Sequence, residues 1–268
     1  MIKLIASDVD GTLIQDGSQR LQKRLFPLIR KLKDMGILFV AASGRQYPNL
    51  YRLFGPVQDD IAYICENGCL VRKNKETLYK AEMDEALALE IIHKIVEKDT
   101  AEVLVSGEDT SYIQPKTDGF RHLLAEVVVN NVTVVDDIFT LRETPFKISV
   151  YEKAGIDATQ AYWRDTFRGR ATAVTSGFEW LDFTPIGANK GKALDELLKR
   201  LHISPDECMA FGDEYNDIEM LQNVGYSYAM RTAKPGVQAT ARFLTDRVET
   251  VLEQLIEQNG MWEEKNHG

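Results

Sequence analysis

Ile2-Lys3-Leu4-Ile5-Ala6-Ser7-Asp8-Val9-Asp10-Gly11-Thr12 decides the fold. Residues 2–6, apolar except for Lys3, read as a buried strand, which the chain leaves through two carboxylates and a glycine that permits a tight turn. Side chains alternate along an extended chain. If that conformation persists through Asp10, then Asp8 and Asp10 lean to one side, close enough to share a metal or a substrate. Two acids so placed repel each other unless a cation neutralises them or one keeps its proton. The plainer alternative is a strand end running into a polar turn, where Asp is common.

Working outward, Leu21, Leu25, Leu28, Leu32 and Met35 recur at helical spacing before Gly36. Pro27 inside that pattern either kinks the helix or marks its real start. Residues 37–42 form a second apolar run, followed by Ser43-Gly44-Arg45 and a helix to Phe54; residues 61–65 form a third strand. Continuous apolar strands separated by helices predict a parallel sheet covered on both faces. From about Asp84 the pattern changes. One amphipathic helix (Leu87, Ile91, Ile95) precedes short strand candidates at 102–106, 111–114, 127–135, 146–151 and 171–176, with a helix over 157–167. After Pro185 the first pattern returns, with helix 191–201, strand 207–212, helix 217–223, strand 226–230 and a last helix from Val248. The expected fold class is therefore α/β, a doubly wound, Rossmann-like core over 1–83 and 185–268. An α+β domain over 84–184 is inserted in it. Residues 261–268 read as a polar, frayed tail.

The 268 residues leave ample volume for such a core, and 32 Lys plus Arg against 41 Asp plus Glu give a net charge of −9. That field disfavours nucleic acid and anionic membranes, so a small anionic substrate needs local positive groups or a metal. Cys65, Cys69 and Cys208 lack the spacing of a disulfide framework or a zinc site and fit reduced thiols in a cytoplasmic protein. No signal-peptide pattern or membrane-length apolar run is present.

Ligands of open α/β sheets bind at the carboxyl ends of the strands. Strand one delivers Asp8 and Asp10 there, strand two Ser43, and the strand before the late helix Asp213, with Asn216 and Asp217 beside it; Lys190 opens a helix after the insertion. Acids, a hydroxyl and a lysine at one edge are what phosphoryl transfer requires. Asp8, deepest on the strand, is the candidate nucleophile, and Asp10, two residues on, the acid and base. Asp213 would bind Mg2+, with Asp217 positioning or completing that shell. Ser43 and the backbone N–H groups of Gly44 and Arg45 would hold phosphate oxygens, and Lys190 would neutralise the phosphoryl group and the nucleophile together. Taken singly, Ser43-Gly44-Arg45 also reads as a helix cap, Lys190 as a solvated lysine and residues 213–217 as an acidic helix start. Residues 187–193 resemble a phosphate-binding P-loop only superficially. Their glycines are one residue too close, and Ala193 replaces the required Ser or Thr.

Asp8-Val9-Asp10-Gly11-Thr12, Ser43-Gly44-Arg45, Lys190-Gly191 and Gly212-Asp213-Glu214-Tyr215-Asn216-Asp217 together resemble the four motifs of the haloacid dehalogenase-like phosphatases. Asn67-Gly68, residues 189–194 and Ala233-Lys234-Pro235 make the chain similar to the Cof-type subgroup, whose large cap lies between the second and third motifs. The resemblance implies Asp8 as nucleophile, Asp10 as acid and base, and magnesium at Asp8, the Asp10 carbonyl and Asp213. It also implies phosphoryl contacts from Ser43, Lys190, Asn216 and Arg45. Arg231 departs from the glycine usual at its position and is expected to point outward. Tyr112, Phe120, Arg121 and Lys147 are possible cap contacts, with core or solvated roles favoured.

The expected activity is magnesium-dependent hydrolysis, through an aspartyl phosphate, of a small phosphorylated metabolite. A sugar phosphate fits, as does a phosphorylated cofactor such as a nucleotide, flavin or pyridoxal phosphate. The expected state is a monomer or weak homodimer, without nucleic-acid or membrane partners. A phosphosugar mutase on the same core is one alternative. A noncatalytic phosphometabolite sensor is another, against which Asp10 argues, because a sensor needs no leaving-group acid.

Overall fold

A computed structural model describes residues 1–127 and 130–262. The predicted tail from 263 onward and positions 128–129 of the predicted strand 127–135 lie outside the described residues. The chain divides into two compact units. One comprises residues 1–45, 50–79 and 189–268, and the other residues 46–49 and 80–188.

In chain order the first elements are β1 (Leu4–Asp8), α1 (Leu25–Asp34), β2 (Leu38–Ala42), α2 (Tyr47–Leu53), β3 (Ala62–Cys65), β4 (Leu70–Lys73) and β5 (Glu76–Lys80). The second unit supplies α3 (Glu85–Val96), β6 (Glu102–Ser106), β7 (Ser111–Ile113), α4 (Asp118–His122), β8 (Val132–Val134), β9 (Lys147–Tyr151), α5 (Gln160–Thr166), β10 (Thr172–Thr175) and β11 (Trp180–Thr184). The chain then returns through α6 (Lys190–Leu201), β12 (Cys208–Gly212), α7 (Ile218–Gln222), β13 (Tyr226–Met230), α8 (Pro235–Thr240), β14 (Phe243–Thr245) and α9 (Val248–Glu257).

The first unit's sheet has the order β14-β13-β12-β1-β2-β3-β4-β5. It is parallel from β14 to β3 and turns antiparallel at β4. Every residue of β1, β3 and β12 is buried, as a strand covered on both faces must be. The α/β class read from those apolar runs is the one observed. Pro27 falls in the first turn of α1, where it removes no helical hydrogen bond, so it marks the helix start rather than a kink. The first strand runs from Leu4 to Asp8, two residues later than read from apolarity, because Ser7 still pairs with Phe211 and Asp8 with Ala42. β4, β5, α8 and β14 carry no sequence signal strong enough to read. β5, for example, is half-exposed throughout.

The second unit's sheet has the order β10-β11-β9-β6-β7-β8, antiparallel except for β7 against β8. Strand alternation divides it. Val103, Val105, Ile148, Val150, Leu181 and Phe183 share one core with Leu87, Ile91 and Ile95 of α3 and with Trp163 and Phe167 at α5, whereas Leu104 and Tyr151 pack with Ile113 and Phe120 on the other face. Phe120 is therefore a core residue, stacked on Tyr151 at 5.1 Å. Tyr112 donates to Glu143, Lys147 pairs with Asp182, and Arg121 is exposed.

Candidate active site

The carboxyl ends of β1, β2, β3 and β12 lie side by side in the first unit's sheet. Asp8 ends β1 with its side chain buried. Its Oδ1 accepts from Lys190 Nζ at 2.6 Å, and its Oδ2 is buried and meets no hydrogen-bond donor among the described residues. Burial pushes the Asp8 carboxyl well above the usual range. The Lys190 ammonium opposes that shift, and Asp217 and Asp213 add to it. Lys190 opens α6, where Asn189 caps the helix by accepting from Lys192 N at 2.7 Å. Burial disfavours its charge, but Asp8 and Asp217, the latter at 2.7 Å, outweigh this and hold the ammonium above the ordinary lysine range.

Asp217 is completely buried, and its other oxygen accepts from the backbone N–H groups of Asp213 and Glu214 at 3.0 and 3.1 Å. It thus folds the loop after β12 around itself. Gly212 makes room, since a Cβ there would lie 2.5 Å from Asp217 Cβ. Asp213 is held by Thr12, whose hydroxyl donates to Oδ1 at 2.8 Å, and burial raises its pKa against that hydrogen bond.

The carboxylate oxygens of Asp8, Asp213 and Asp217 come within 4.8 Å of one another. A hard divalent cation takes such an oxygen set. Since Asp217 already receives three donors, Asp8 and Asp213 have the capacity to spare. The residues present fit magnesium.

Asp10 does not join that group. The strand stops at Asp8, so the condition of an extended chain through Asp10 is not met, and the chain turns at Gly11, whose φ is 96°. Asp10 instead faces Arg45, accepting from Nε at 2.9 Å and from a terminal guanidinium nitrogen at 2.5 Å, with Ser43 Oγ at 3.5 Å. Arg45, expected on the phosphoryl group, forms a fork on Asp10 here. Ser43 is buried and its Oγ accepts from Arg45 N at 3.2 Å, the cap-like turn its sequence allows. Asn216 donates to Asn67 Oδ1 at 3.0 Å. Arg231 points outward to Asp246 at 3.2 Å.

The structure thus brings Asp8, Lys190 and Asp217, all buried, and half-buried Asp213 into one cluster, with Asp10, Ser43, Gly44 and Arg45 beside it and Asn216 joined through Asn67. Thr12 and Asn67 were not among the predicted site residues. Asn67-Gly68 directly after a strand is a left-handed turn signal that could have flagged the second; Thr12 has no local signal, as its partner is 201 positions away.

Among curated proteins, the chain is 29% identical over 243 residues to the Escherichia coli K12 protein named 5-amino-6-(5-phospho-D-ribitylamino)uracil phosphatase YbjI, covering 90% of each. It is 28% identical over 255 residues to the HMP-PP phosphatase of Enterobacter sp. strain 638, covering 88% of this chain and 86% of that one. A crystal structure of a protein from Eubacterium rectale superposes with a TM-score of 0.87 at 33% identity, covering 95% of this chain and 99% of that one. Fold, site and relatives define an enzyme of the phosphomonoester hydrolase class. A family model described as haloacid dehalogenase-like hydrolase matches residues 5–251, and the chain belongs to that family, in its Cof-type branch. Among the described residues no helix is long and apolar enough to cross a membrane.

Proposed function

We propose that the protein is a magnesium-dependent phosphatase of a small phosphorylated metabolite, acting through an aspartyl phosphate on Asp8. The observation that carries this reading is the asymmetry of Asp8. One oxygen is fixed by Lys190, and the other is buried and, among the described residues, meets no hydrogen-bond donor. A carboxylate so held presents one oriented nucleophilic oxygen.

Asp8 Oδ2 attacks phosphorus while the bond to the leaving oxygen breaks, and Asp10 gives that oxygen its proton. Water then attacks the phosphorus of the acyl phosphate and Asp10 takes the proton of water. The bond between Asp8 and phosphorus breaks, releasing inorganic phosphate and restoring the carboxylate. Lys190 and the Ser43-Gly44 turn meet the charge on the phosphoryl oxygens, and Asn216 contacts the same group. Asp8, Asp213 and the Asp10 carbonyl would hold magnesium, with Asp217 fixing the loop. The ion would screen the nucleophile from the phosphoryl oxygens. Because Arg45 occupies both Asp10 oxygens, proton transfer requires that fork to yield one of them. Relatives named for a phosphoribitylaminouracil and for HMP-PP support a small, polar phosphorylated substrate, a sugar phosphate or a phosphorylated cofactor.

Asp8→Asn should remove magnesium-dependent phosphate release from p-nitrophenyl phosphate while leaving the circular dichroism spectrum unchanged. Retained turnover would sink the mechanism. A panel of phosphomonoesters ranked by kcat/KM then identifies the substrate.

A further inference from the structure

Glu66, Asn67 and Gly68 follow β3 with φ of 50°, 56° and 96°. Three successive residues lie in the left-handed region, and two of them carry a Cβ that disfavours it. Such conformations persist only where the surroundings hold them, and they collect at functional sites.

The surroundings here are the other site loops. Glu66 N donates to Arg45 O and Asn67 N to Ser43 O, both at 3.1 Å, sewing this loop to the one after β2. The Asn67 amide lies against Gly44, where a Cβ would come 3.1 Å from Oδ1 and 3.2 Å from Nδ2. Gly68 abuts the residue preceding Lys190, since a Cβ there would come 2.1 Å from Asn189 O. Asn67 Oδ1 also accepts from Asn216 Nδ2 at 3.0 Å. A loop that carries none of the reacting groups therefore touches all three loops that follow β1 in the site. A left-handed turn needs only Asn, Asp or Gly; it does not need an amide bonded to Asn216.

We infer that Asn67 is a positioning residue for phosphoryl binding, holding the Asn216 amide in register with the Ser43-Gly44 turn. This inference rests on the phosphatase reading for its substrate. Asn67 fixes one N–H of Asn216, which leaves the rest of that amide oriented rather than free to rotate. The entropy of orienting it is then lost in folding rather than on binding.

Asn67→Gly separates the amide from the backbone, because glycine adopts the left-handed turn without strain. The expected result is an unfolding temperature equal to or above wild type, with KM for p-nitrophenyl phosphate raised about fivefold and kcat within about twofold, the size of one lost neutral hydrogen bond. Asn216→Ala should raise KM at least as much, and Asn67→Gly with Asn216→Ala no more than the larger single effect, because one acts through the other. The affinity for inorganic phosphate with magnesium, measured by calorimetry on the same four proteins, should follow that order. The inference is overturned if Asn67→Gly leaves KM and phosphate affinity at wild-type values. Effects that multiply in the double variant, or a KM rise accompanied by a lower unfolding temperature, also overturn it. A wild type that binds phosphate without releasing it from any ester refutes the phosphatase reading, while the affinities still decide Asn67. A wild type that binds no phosphate overturns both.

Discussion

Lys190 Nζ stands 2.6 Å from Asp8 Oδ1, and both side chains are shut away from solvent. The same nitrogen meets Asp217 at 2.7 Å, so a single cation serves two buried carboxylates. Removing it exposes the cost of burying them.

Lys190→Met should leave Asp8 and Asp217 facing each other without a counter-charge, destabilising the first unit by about 3–5 kcal/mol and abolishing turnover. Thermal unfolding checks this, and magnesium should restore part of the lost stability by supplying a second cation. An unchanged unfolding temperature would contradict the pairing.

The raised Asp8 pKa has a sign that can be measured. The folded protein keeps a proton that the unfolded chain releases, so stability is lost as pH climbs from the ordinary aspartate range through the higher folded value. Asn at this position does not titrate. In metal-free buffer the unfolding temperature of Asp8→Asn relative to wild type should therefore increase with pH above the ordinary aspartate range, and added magnesium should flatten the trend. A difference that shrinks with rising pH would reverse the assignment.

Gly11 has φ of 96°, and a Cβ there would lie 2.1 Å from Asp213 Oδ2. Gly11→Ala should cost of order 1–3 kcal/mol in backbone strain and displace Asp213. A magnesium titration of phosphate release should then show a rise of about tenfold or more in the concentration giving half-maximal rate, as expected for a shift of that size in a ligand.

Arg45→Lys keeps the charge on Asp10 but cannot form the two parallel bonds of a guanidinium. It should lower kcat by about tenfold, less than the ~10²–10⁴ that a general acid and base supplies and that Asp10→Asn should remove. Steady-state kinetics on the two variants checks the order; an Arg45→Lys enzyme with wild-type kcat would show that the fork does not orient Asp10.

Cys65, Cys69 and Cys208 are all buried. Burial, with Glu207 and Asp206 adding, pushes the Cys208 thiol up to about 12, and burial pushes Cys65 well above its usual value. At pH 8 only about one Cys208 side chain in 10⁴ is a thiolate, and thiolate is the reactive form. Ellman's reagent should find no fast thiol in the native protein and all three after denaturation.

The core strands were legible because burial on both faces forces unbroken apolar runs, as in β1 and β12. The candidate site residues stood out in the sequence because each motif sits just past such a strand or opens a helix, as Ser43 follows β2 and Lys190 begins α6. Short, half-exposed elements such as β5 and β14 were not, since tertiary neighbours rather than periodicity hold them. Asn67 escaped notice as a site residue because its partners Ser43, Gly44 and Asn216 are remote along the chain.

By itself, the sequence determined the α/β class and singled out candidate acids, a hydroxyl and a lysine near the strand ends, because alternation, apolar runs and motif spacing are local properties. Only the tertiary structure decided what those groups do to one another. It set Asp10 against Arg45, placed Lys190 between Asp8 and Asp217 and, among the described residues, left one Asp8 oxygen without a donor. Those relations depend on side chains up to 182 positions apart sharing one buried, weakly screened space, where pairing and desolvation set charge and orientation.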